Sequence, residues 1–95
     1  MRRIRLIVHG EVQGVGFRAF TRRCAVILCL QGWVRNRNDG TVEAELIGTA
    51  EALEKMLGHL REGPRWSQVD EIEITSAEDL GDAIPEALPG EFTIR

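Results

Sequence analysis

Residues 4–28, IRLIVHGEVQGVGFRAFTRRCAVIL, contain the change of period that decides the fold. Ile4, Leu6 and Val8 fall on alternate positions, which is the pattern of a strand with one face on a core. A stretch rich in glycine follows, from His9 to Gly16. Apolar residues then recur at helical spacing, and we expect them to form one buried stripe: Phe17, Phe20, Cys24, Ile27 and Leu28. The segment predicts a strand, a turn and a first helix over about residues 17–29.

The next segment has the features of a β-hairpin. Gly32 breaks the helical pattern, and residues 33–37 form a short run typical of a strand. Asn38-Asp39-Gly40 is turn chemistry, because these residue types tolerate the backbone angles that a tight turn needs. Alternation then resumes over residues 41–47, with Val42, Ala44 and Leu46 predicted to point inward.

A second amphipathic helix follows the hairpin. Thr49 is a suitable N-cap, since its hydroxyl can accept a hydrogen bond from the first turn. Apolar residues then occur at positions i, i+3, i+4 and i+7 of a helix, namely Leu53, Met56, Leu57 and Leu60. Gly63-Pro64 is expected to end this helix.

The last third of the chain completes the predicted topology. Ile72 and Ile74 alternate with acidic residues and predict a fourth strand, residues 78–90 predict an irregular connection, and residues 91–95 a short final strand. The order is βαββαβ with a terminal strand. We therefore predict an α+β fold, a ferredoxin-like α/β sandwich in which two helices cover one face of an antiparallel sheet, with a short C-terminal strand. At 95 residues we expect a single domain, residues 1–95.

Composition argues against several classes of protein. No apolar run approaches the roughly 20 residues of a membrane helix, and an alternating pattern begins soon after Met1, so we expect neither membrane span nor signal peptide. Cys24 and Cys29 would lie about 8 Å apart on a helix, beyond disulfide reach, which predicts free thiols and a cytoplasmic location. His9 and His59 have no acid or cysteine at metal-ligand spacing, so no metal site is predicted.

Charge is unevenly distributed along the sequence. The net charge is −3, yet residues 1–37 carry eight arginines and a single acid, Glu11. The acidic remainder would repel a long phosphate backbone, so the pattern favours a small anionic ligand over nucleic acid.

The glycine loop before the first helix is a candidate site for such an anion. Three glycines lie within residues 10–16, and they allow the backbone to turn and present several N–H groups in one direction. The helix N-terminus adds unpaired donors, and Arg18 in its first turn adds a planar fork that suits phosphate oxygens. The alternative is that the loop is only a tight connection and Arg18 a solvated surface residue. The loop matches neither the P-loop nor the dinucleotide-binding pattern, so a nucleotide is not implied.

Three motifs together resemble the acylphosphatase family. The first is Val12-Gln13-Gly14-Val15-Gly16-Phe17-Arg18, the second Gly32-Trp33-Val34-Arg35-Asn36, and the third Asp39-Gly40-Thr41-Val42-Glu43. The similarity continues through Gly63-Pro64 and residues 69–72 to residues 90–92. It therefore spans nearly the whole chain.

The resemblance implies an activity and assigns roles to residues. It implies a metal-independent hydrolase, without a cofactor, that cleaves small acyl phosphates to a carboxylate and inorganic phosphate, and we expect a monomer. The implied phosphate-binding loop is the backbone of Gln13, Gly14, Val15, Gly16, Phe17 and Arg18. Arg18 would bind the phosphoryl group and Asn36 would orient the attacking water. Without the resemblance, Asn36 would be read as part of the following turn.

Three positions depart from the family pattern, and two other functions stay open. Glu11 stands where a basic residue is common, Cys29 where glycine is usual, and Trp66 where small residues are common. If the usual left-handed helix end is kept, Cys29 is strained; otherwise we expect the helix to finish nearer Gly32. The alternatives are a non-catalytic anion-binding module and an RNA-binding sheet, although strand aromatics are nearly absent apart from Trp33.

Overall fold

A computed structural model describes residues 1–81 and 91–95 of the chain. In chain order the elements are β1 (Arg2–Glu11), α1 (Phe17–Ile27), β2 (Gln31–Asn36), β3 (Val42–Gly48), α2 (Ala50–Glu62), β4 (Gln68–Asp79) and β5 (Phe92–Ile94). Within the described residues the strands form one sheet in the order β4-β1-β3-β2-β5. β1 to β4 pair antiparallel, whereas β5 pairs parallel to β2. The predicted ferredoxin-like fold is confirmed, and the terminal strand extends the sheet beside β2.

The core lies between the sheet and the two helices. Ile4, Leu6 and Val8 of β1 are buried, as the alternation predicts, and they pack with buried side chains from every other element except β4. α2 behaves as expected, because Thr49 accepts a hydrogen bond from the Ala52 N–H at 3.1 Å and the helix ends at Glu62. Its buried side chains are Leu53, Met56 and Leu60.

The predicted stripe of α1 is wrong at Ile27, which is 79% exposed. The buried residues of this helix are Phe17, Thr21 and Ala25, four positions apart. Thr21 fits in the core because its hydroxyl donates to the Phe17 carbonyl at 2.8 Å, and Ala25 allows a close approach to the sheet. A pattern of apolar residues alone does not include Thr21, so it did not predict this buried face of α1.

The end of α1 keeps the left-handed geometry in spite of Cys29. This residue has φ 58°, and the Leu30 N–H donates to the Ala25 carbonyl at 2.8 Å while the Cys29 N–H donates to Val26 at 3.1 Å. These two bonds form a Schellman motif, in which a residue with positive φ satisfies the last carbonyls of the helix. The expectation that the helix continues toward Gly32 is therefore wrong. The hydrogen bonds and the burial of Leu30 outweigh the strain at a residue with a Cβ.

β4 is longer than the sequence predicts. It continues through Asp79, so residues 78 and 79 belong to the strand and not to an irregular connection. Glu78 and Asp79 pair with Arg3 and Arg2 of β1. The alternating pattern of β1 does not indicate how long the strand that pairs with it is. The remainder of the predicted connection, residues 82–90, lies outside the described residues.

Candidate active site

Three strands deliver their carboxyl ends to the same edge of the sheet. β1 and β2 are each antiparallel to β3, so they run in the same direction, and β5 is parallel to β2. The glycine loop follows β1 at this edge, Asn36 is the last residue of β2, and Ile94 is the last residue of β5. The amino end of α1 follows the loop. Sequence-distant residues therefore meet where the helix begins.

The loop between β1 and α1 requires glycine for its conformation. Gly14 has φ 77° and Gly16 has φ 78°, which residues with a side chain rarely adopt. A Cβ at either position would meet nothing within 4 Å, so the requirement comes from the backbone angle and not from crowding. Gly16 is the N-cap of α1 and offers no side-chain acceptor, and the first turn contains no acid. The N–H donors and the partial positive charge at the N-terminus of α1 therefore stay available to an anion.

Arg18 lies in the first turn of α1 with its side chain exposed. Among residues 1–81 and 91–95, it takes part in no ion pair, whereas Arg3, Arg5, Arg35 and Arg37 all pair with acids. A cation without a carboxylate partner at a helix N-terminus is locally unfavourable, and a bound dianion would remove that penalty.

Asn36 projects from the helix-covered face of the sheet. It follows Val34 by two residues on β2, and Val34 is fully buried in the core. Its side-chain oxygen Oδ1 is buried, and no partner within the described part of the chain forms a hydrogen bond with it. A buried acceptor without a donor costs roughly 1–3 kcal/mol, which a water or ligand in the neighbouring cavity would recover.

The side chain of Gln13 joins the loop to the turn that follows Asn36. Its Nε2 donates to the carbonyls of Arg37 at 2.7 Å and Thr41 at 2.9 Å. The turn itself is closed by the Arg37 N–H, which donates to the Thr41 carbonyl at 2.8 Å, and by Asp39, which accepts from the backbone and hydroxyl of Thr41. These contacts fix the position of the loop relative to β2.

Hydrogen bonds from the Thr41 hydroxyl and N–H hold the pKa of Asp39 below its ordinary value of 3.8. The carboxylate therefore stays ionised, and can keep accepting these bonds, to a lower pH than an aspartate of ordinary pKa.

One cavity of about 220 Å³ joins these elements. Four apolar side chains line it, Val12, Phe17, Ala19 and Ile94. The other lining residues are Gly14 and Gly16 of the loop, Arg18 of α1 and Asn36 of β2. Within residues 1–81 and 91–95, this lining contains no carboxylate, histidine or cysteine. An anion held here would meet N–H donors and one guanidinium.

The predicted site residues divide into two groups. Arg18 and Asn36 line the same cavity, with Gly14, Gly16 and Phe17. Gln13 and Val15 do not line it: Gln13 binds the turn after β2, and Val15 packs against the core. Ile94 was missed, although its spacing of two from Phe92 signals that both residues share one face of β5. Only the pairing of β5 with β2 brings that face to the loop.

Four of the eight arginines in residues 1–37 form ion pairs with acids of the described residues. Because β1 and β2 both pair with β3, their arginines lie opposite acids: Arg5 contacts Glu45 at 3.0 Å, and Arg35 contacts Glu43 at 2.6 Å. Arg22 donates to the Phe92 carbonyl at 3.2 Å and so joins α1 to β5. Three of the eight arginines, Arg3, Arg5 and Arg35, are therefore explained by cross-strand ion pairs and not by an anion site.

Other sequence expectations concern cysteines, metals and membranes. Cys24 and Cys29 are both free thiols, and burial raises the pKa of Cys24 against the opposing effect of Arg23. Residues 1–81 and 91–95 contain no cluster of three or more metal-ligating side chains. In the same described residues, neither helix has the length and apolar character to cross a membrane. Trp66 is 82% exposed and does not line the cavity.

Comparison with known proteins identifies one family. The family model named Acylphosphatase matches residues 4–92. A protein named Acylphosphatase from Thermus thermophilus is 44% identical over 81 residues, which cover 85% of this chain and 92% of that protein. Another from Nitrobacter winogradskyi is 48% identical over 68 residues, covering 72% and 69% of the two chains. The crystal structure of acylphosphatase from Bacillus subtilis matches with a TM-score of 0.86 and 35% identity, covering 100% of this chain and 99% of that one.

Proposed function

Since the chain belongs to the acylphosphatase family and hydrolyses acyl phosphates, we propose that the cavity at the carboxyl ends of β1, β2 and β5 is its active site. The reaction adds water to phosphorus and breaks the bond between phosphorus and the bridging oxygen. It yields a carboxylate and inorganic phosphate. The substrate class is small acyl phosphates.

In this proposal, Arg18 and the backbone of residues 13–18 bind the phosphoryl group. The guanidinium donates two parallel hydrogen bonds to phosphoryl oxygens, and the loop and first helical turn donate from backbone N–H groups. Phosphoryl transfer depends mostly on positioning and on stabilising charge on the equatorial oxygens. Removing one such preorganised donor typically lowers turnover about 10²- to 10³-fold.

Asn36 orients the attacking water. Its buried Oδ1 accepts a hydrogen bond from that water and so directs an oxygen lone pair toward phosphorus. Among the described residues that line the cavity, no side chain ordinarily titrates near neutral pH, so in this proposal the water's proton passes to a phosphoryl oxygen or to solvent. The carboxylate leaving group needs little protonation, because carboxylic acids are ionised well below neutral pH. This chemistry requires no metal, and the proposed enzyme is metal-independent.

The single observation that carries the proposal is the buried oxygen of Asn36, which has no hydrogen-bond partner in the described part of the chain, in a cavity that Arg18 also lines. The test is steady-state hydrolysis of benzoyl phosphate in EDTA by the parent protein, Arg18→Ala and Asn36→Ala. Arg23→Ala and Asn38→Ala are matched controls, since both residues are exposed and neither lines the cavity. We expect loss of at least 100-fold in the first two variants and parent-like rates in the controls. Parent-like turnover in either site variant would refute its assigned role.

A non-catalytic anion-binding module is the second candidate for this cavity, favoured by the same loop and helix N-terminus. It would bind phosphate but would have no use for an unpartnered amide oxygen beside it. Turnover by the parent protein separates the two, because a binding module would show phosphate binding by titration without release of product.

Three further parts of the proposal concern the whole molecule. We propose a monomeric single domain. One core that unites both helices with the sheet supports the single domain; light scattering tests the monomer and a single unfolding transition tests the domain. We propose that the chain does not bind nucleic acid, since Trp33 is only 8% exposed and lies beneath Arg5, Arg35 and Arg95.

Two free thiols support a cytoplasmic location, which fractionation of cells tests.

A further inference from the structure

A groove opens between α2 and β4. Its volume is about 330 Å³, and α2 contributes Leu53 and Leu57 to its lining. The sheet contributes Ile4 and Ile74. Ile74 pairs with Leu6 of β1, and paired residues of neighbouring strands point to the same face of a sheet. Ile74 therefore lies on the helix-covered face, yet it is 45% exposed among the described residues, so α2 leaves part of this apolar face open.

β4 forms one edge of the sheet. It pairs with β1 on one side, and no described strand lies on its other side. Over its 12 residues, this outer edge presents backbone N–H and C=O groups with which an added strand can pair. A strand added there would run alongside the groove, and every second side chain would point to the helix-covered face. The edge and the groove together have the form of a binding site for an extended chain segment.

The two faces of β4 differ in chemistry. Ile72 and Ile74 lie on the helix-covered face, since both pair with buried residues of β1. Glu71 and Glu73 alternate with them and so lie on the open face of the sheet. An added strand with apolar residues on one face and basic residues on the other would match both.

The charge of β4 selects among the possible occupants. All the charged residues of this strand are acidic, namely Asp70, Glu71, Glu73, Glu78 and Asp79. Within residues 1–81 and 91–95, the basic side chains in contact with them are His9, at 2.9 Å from Glu73, and Arg3, at 3.5 Å from Glu78. The groove lining adds one acid, Glu54, and one base, Arg2. A second copy of this chain would bring the same acids to the edge, and like charges opposite each other destabilise a strand pair, whereas lysine and arginine would be attracted.

We propose that β4 and this groove bind an extended segment of another protein in which basic and apolar residues alternate. The segment pairs with β4 and adds a strand to the five-stranded sheet. Its apolar side chains cover Ile74 and Leu57, and its basic side chains lie against Glu71 and Glu73.

This site is separate from the proposed active site. Ile4, near the start of β1, lines the groove, whereas the glycine loop follows Glu11 at the end of that strand, roughly 23 Å away. The inference therefore goes beyond the proposed function and does not depend on it.

The probe is a labelled synthetic peptide, acetyl-Lys-Val-Lys-Leu-Lys-Val-Lys-amide, titrated with the whole protein and followed by fluorescence anisotropy. Two altered peptides test the pairing without any change in the protein. In one, N-methyl groups remove the backbone N–H donors and leave every side chain in place; in the other, glutamate replaces each lysine. We expect each to bind at least about 10-fold more weakly, since the first loses main-chain hydrogen bonds and the second meets like charge.

The variant Ile74→Ala tests the groove. We expect it to bind the basic peptide about 10-fold more weakly, because each methylene that a partner covers contributes a factor of about four to affinity. Ile27→Ala is the matched control and should bind as the parent does, since Ile27 is 79% exposed on α1 and does not line the groove. Circular dichroism checks that both variants fold.

Each outcome decides for or against the site. Saturable binding of the basic peptide, weakened by N-methylation and by Ile74→Ala and accompanied by slower amide hydrogen exchange in β4, supports it. No binding at millimolar peptide, equal binding of either altered peptide, or parent-like affinity of Ile74→Ala overturns it. Slower exchange in β4 that appears without peptide as protein concentration rises would make a second copy the occupant, and would also overturn the proposal. None of these results bears on the hydrolysis of acyl phosphates.

Discussion

Replacing Gln13 with alanine removes the side chain that joins the glycine loop to the turn after Asn36. Two hydrogen bonds are lost, at 2.7 and 2.9 Å. Both carbonyl acceptors keep another donor, since Thr41 still accepts from the Arg37 N–H and Arg37 from the Gly40 N–H. The cost is therefore the net value of two hydrogen bonds, about 1–2 kcal/mol, and not the larger penalty of orphaned groups. For a domain of this size, that lowers Tm by about 4–12 °C.

The effect on catalysis should exceed the effect on stability. Without the tie, the loop and Asn36 can shift relative to each other, and a misplacement of about 1 Å typically costs on the order of 100-fold in rate. We expect kcat of Gln13→Ala for benzoyl phosphate to fall about 10- to 100-fold, measured well below its Tm. Gln13 is a positioning residue in this account, because its side chain does not line the cavity.

Two comparisons make the Gln13 prediction sharp. Gln13→Glu keeps the shape but presents a carboxylate to two carbonyls, so it should lose at least as much activity as alanine. Gln68→Ala removes an amide whose hydrogen bond to Asp70 lies on the exposed surface, and it should retain the parent kcat. A Gln13→Ala protein with parent-like kcat would refute the reasoning, because the loop would then hold its geometry without the tie.

Three other predictions concern backbone strain and pH. Cys29→Gly should raise stability by about 0.5–1 kcal/mol in thermal unfolding, because release of left-handed strain outweighs the extra freedom of glycine in the unfolded chain; an unchanged or lower Tm would contradict this. Gly32→Ala should fail to accumulate as folded protein or lose more than about 3 kcal/mol, since a Cβ there would overlap the Glu45 carbonyl on β3; parent-like circular dichroism and Tm would show that the strands can separate. Asp39→Asn should reduce the urea midpoint at neutral pH. The pKa of Asp39 is lower in the folded protein than its value of 3.8 in the unfolded chain, so the ionised carboxylate stabilises the folded state at pH values above 3.8. The difference in urea midpoint between the variant and the parent should therefore vanish as the pH falls through the folded pKa. A difference independent of pH would count against the Thr41 hydrogen bonds.

Strands and helices were predicted correctly where apolar residues recur with one clear spacing, either two for a strand or three to four for a helix. Alternation in β1 and the capped stripe of α2 both correspond to observed elements, because each buries one apolar face. The predicted buried face of α1 was wrong because it omitted Thr21, a polar residue that is buried with its hydroxyl hydrogen-bonded to the Phe17 carbonyl. At the end of α1 the sequence left two alternatives, and the observed one is the left-handed end, where hydrogen bonds of the Schellman motif and the burial of Leu30 outweigh strain at Cys29.

The site was less predictable than the fold, since it depends on strand pairing. Arg18 and the glycine loop carry a local signal, because a helix N-terminus without an acid favours an anion. Asn36 carries none that period or composition reveals, and the motif around it was recognisable only by resemblance. The spacing of Ile94 from Phe92 indicates a shared strand face but not which elements that face meets. The convergence of Asn36 and Ile94 requires β5 to pair parallel to β2, a long-range contact that no local pattern specifies.

The most direct test of the central claim is single-substrate kinetics of Asn36→Ala and Arg18→Ala on benzoyl phosphate in EDTA, alongside their affinity for inorganic phosphate. The account predicts that Asn36→Ala loses at least 100-fold in kcat yet still binds phosphate, whereas Arg18→Ala loses both turnover and phosphate binding. Full turnover by folded Asn36→Ala, or loss of the parent's activity when EDTA is added, would contradict it.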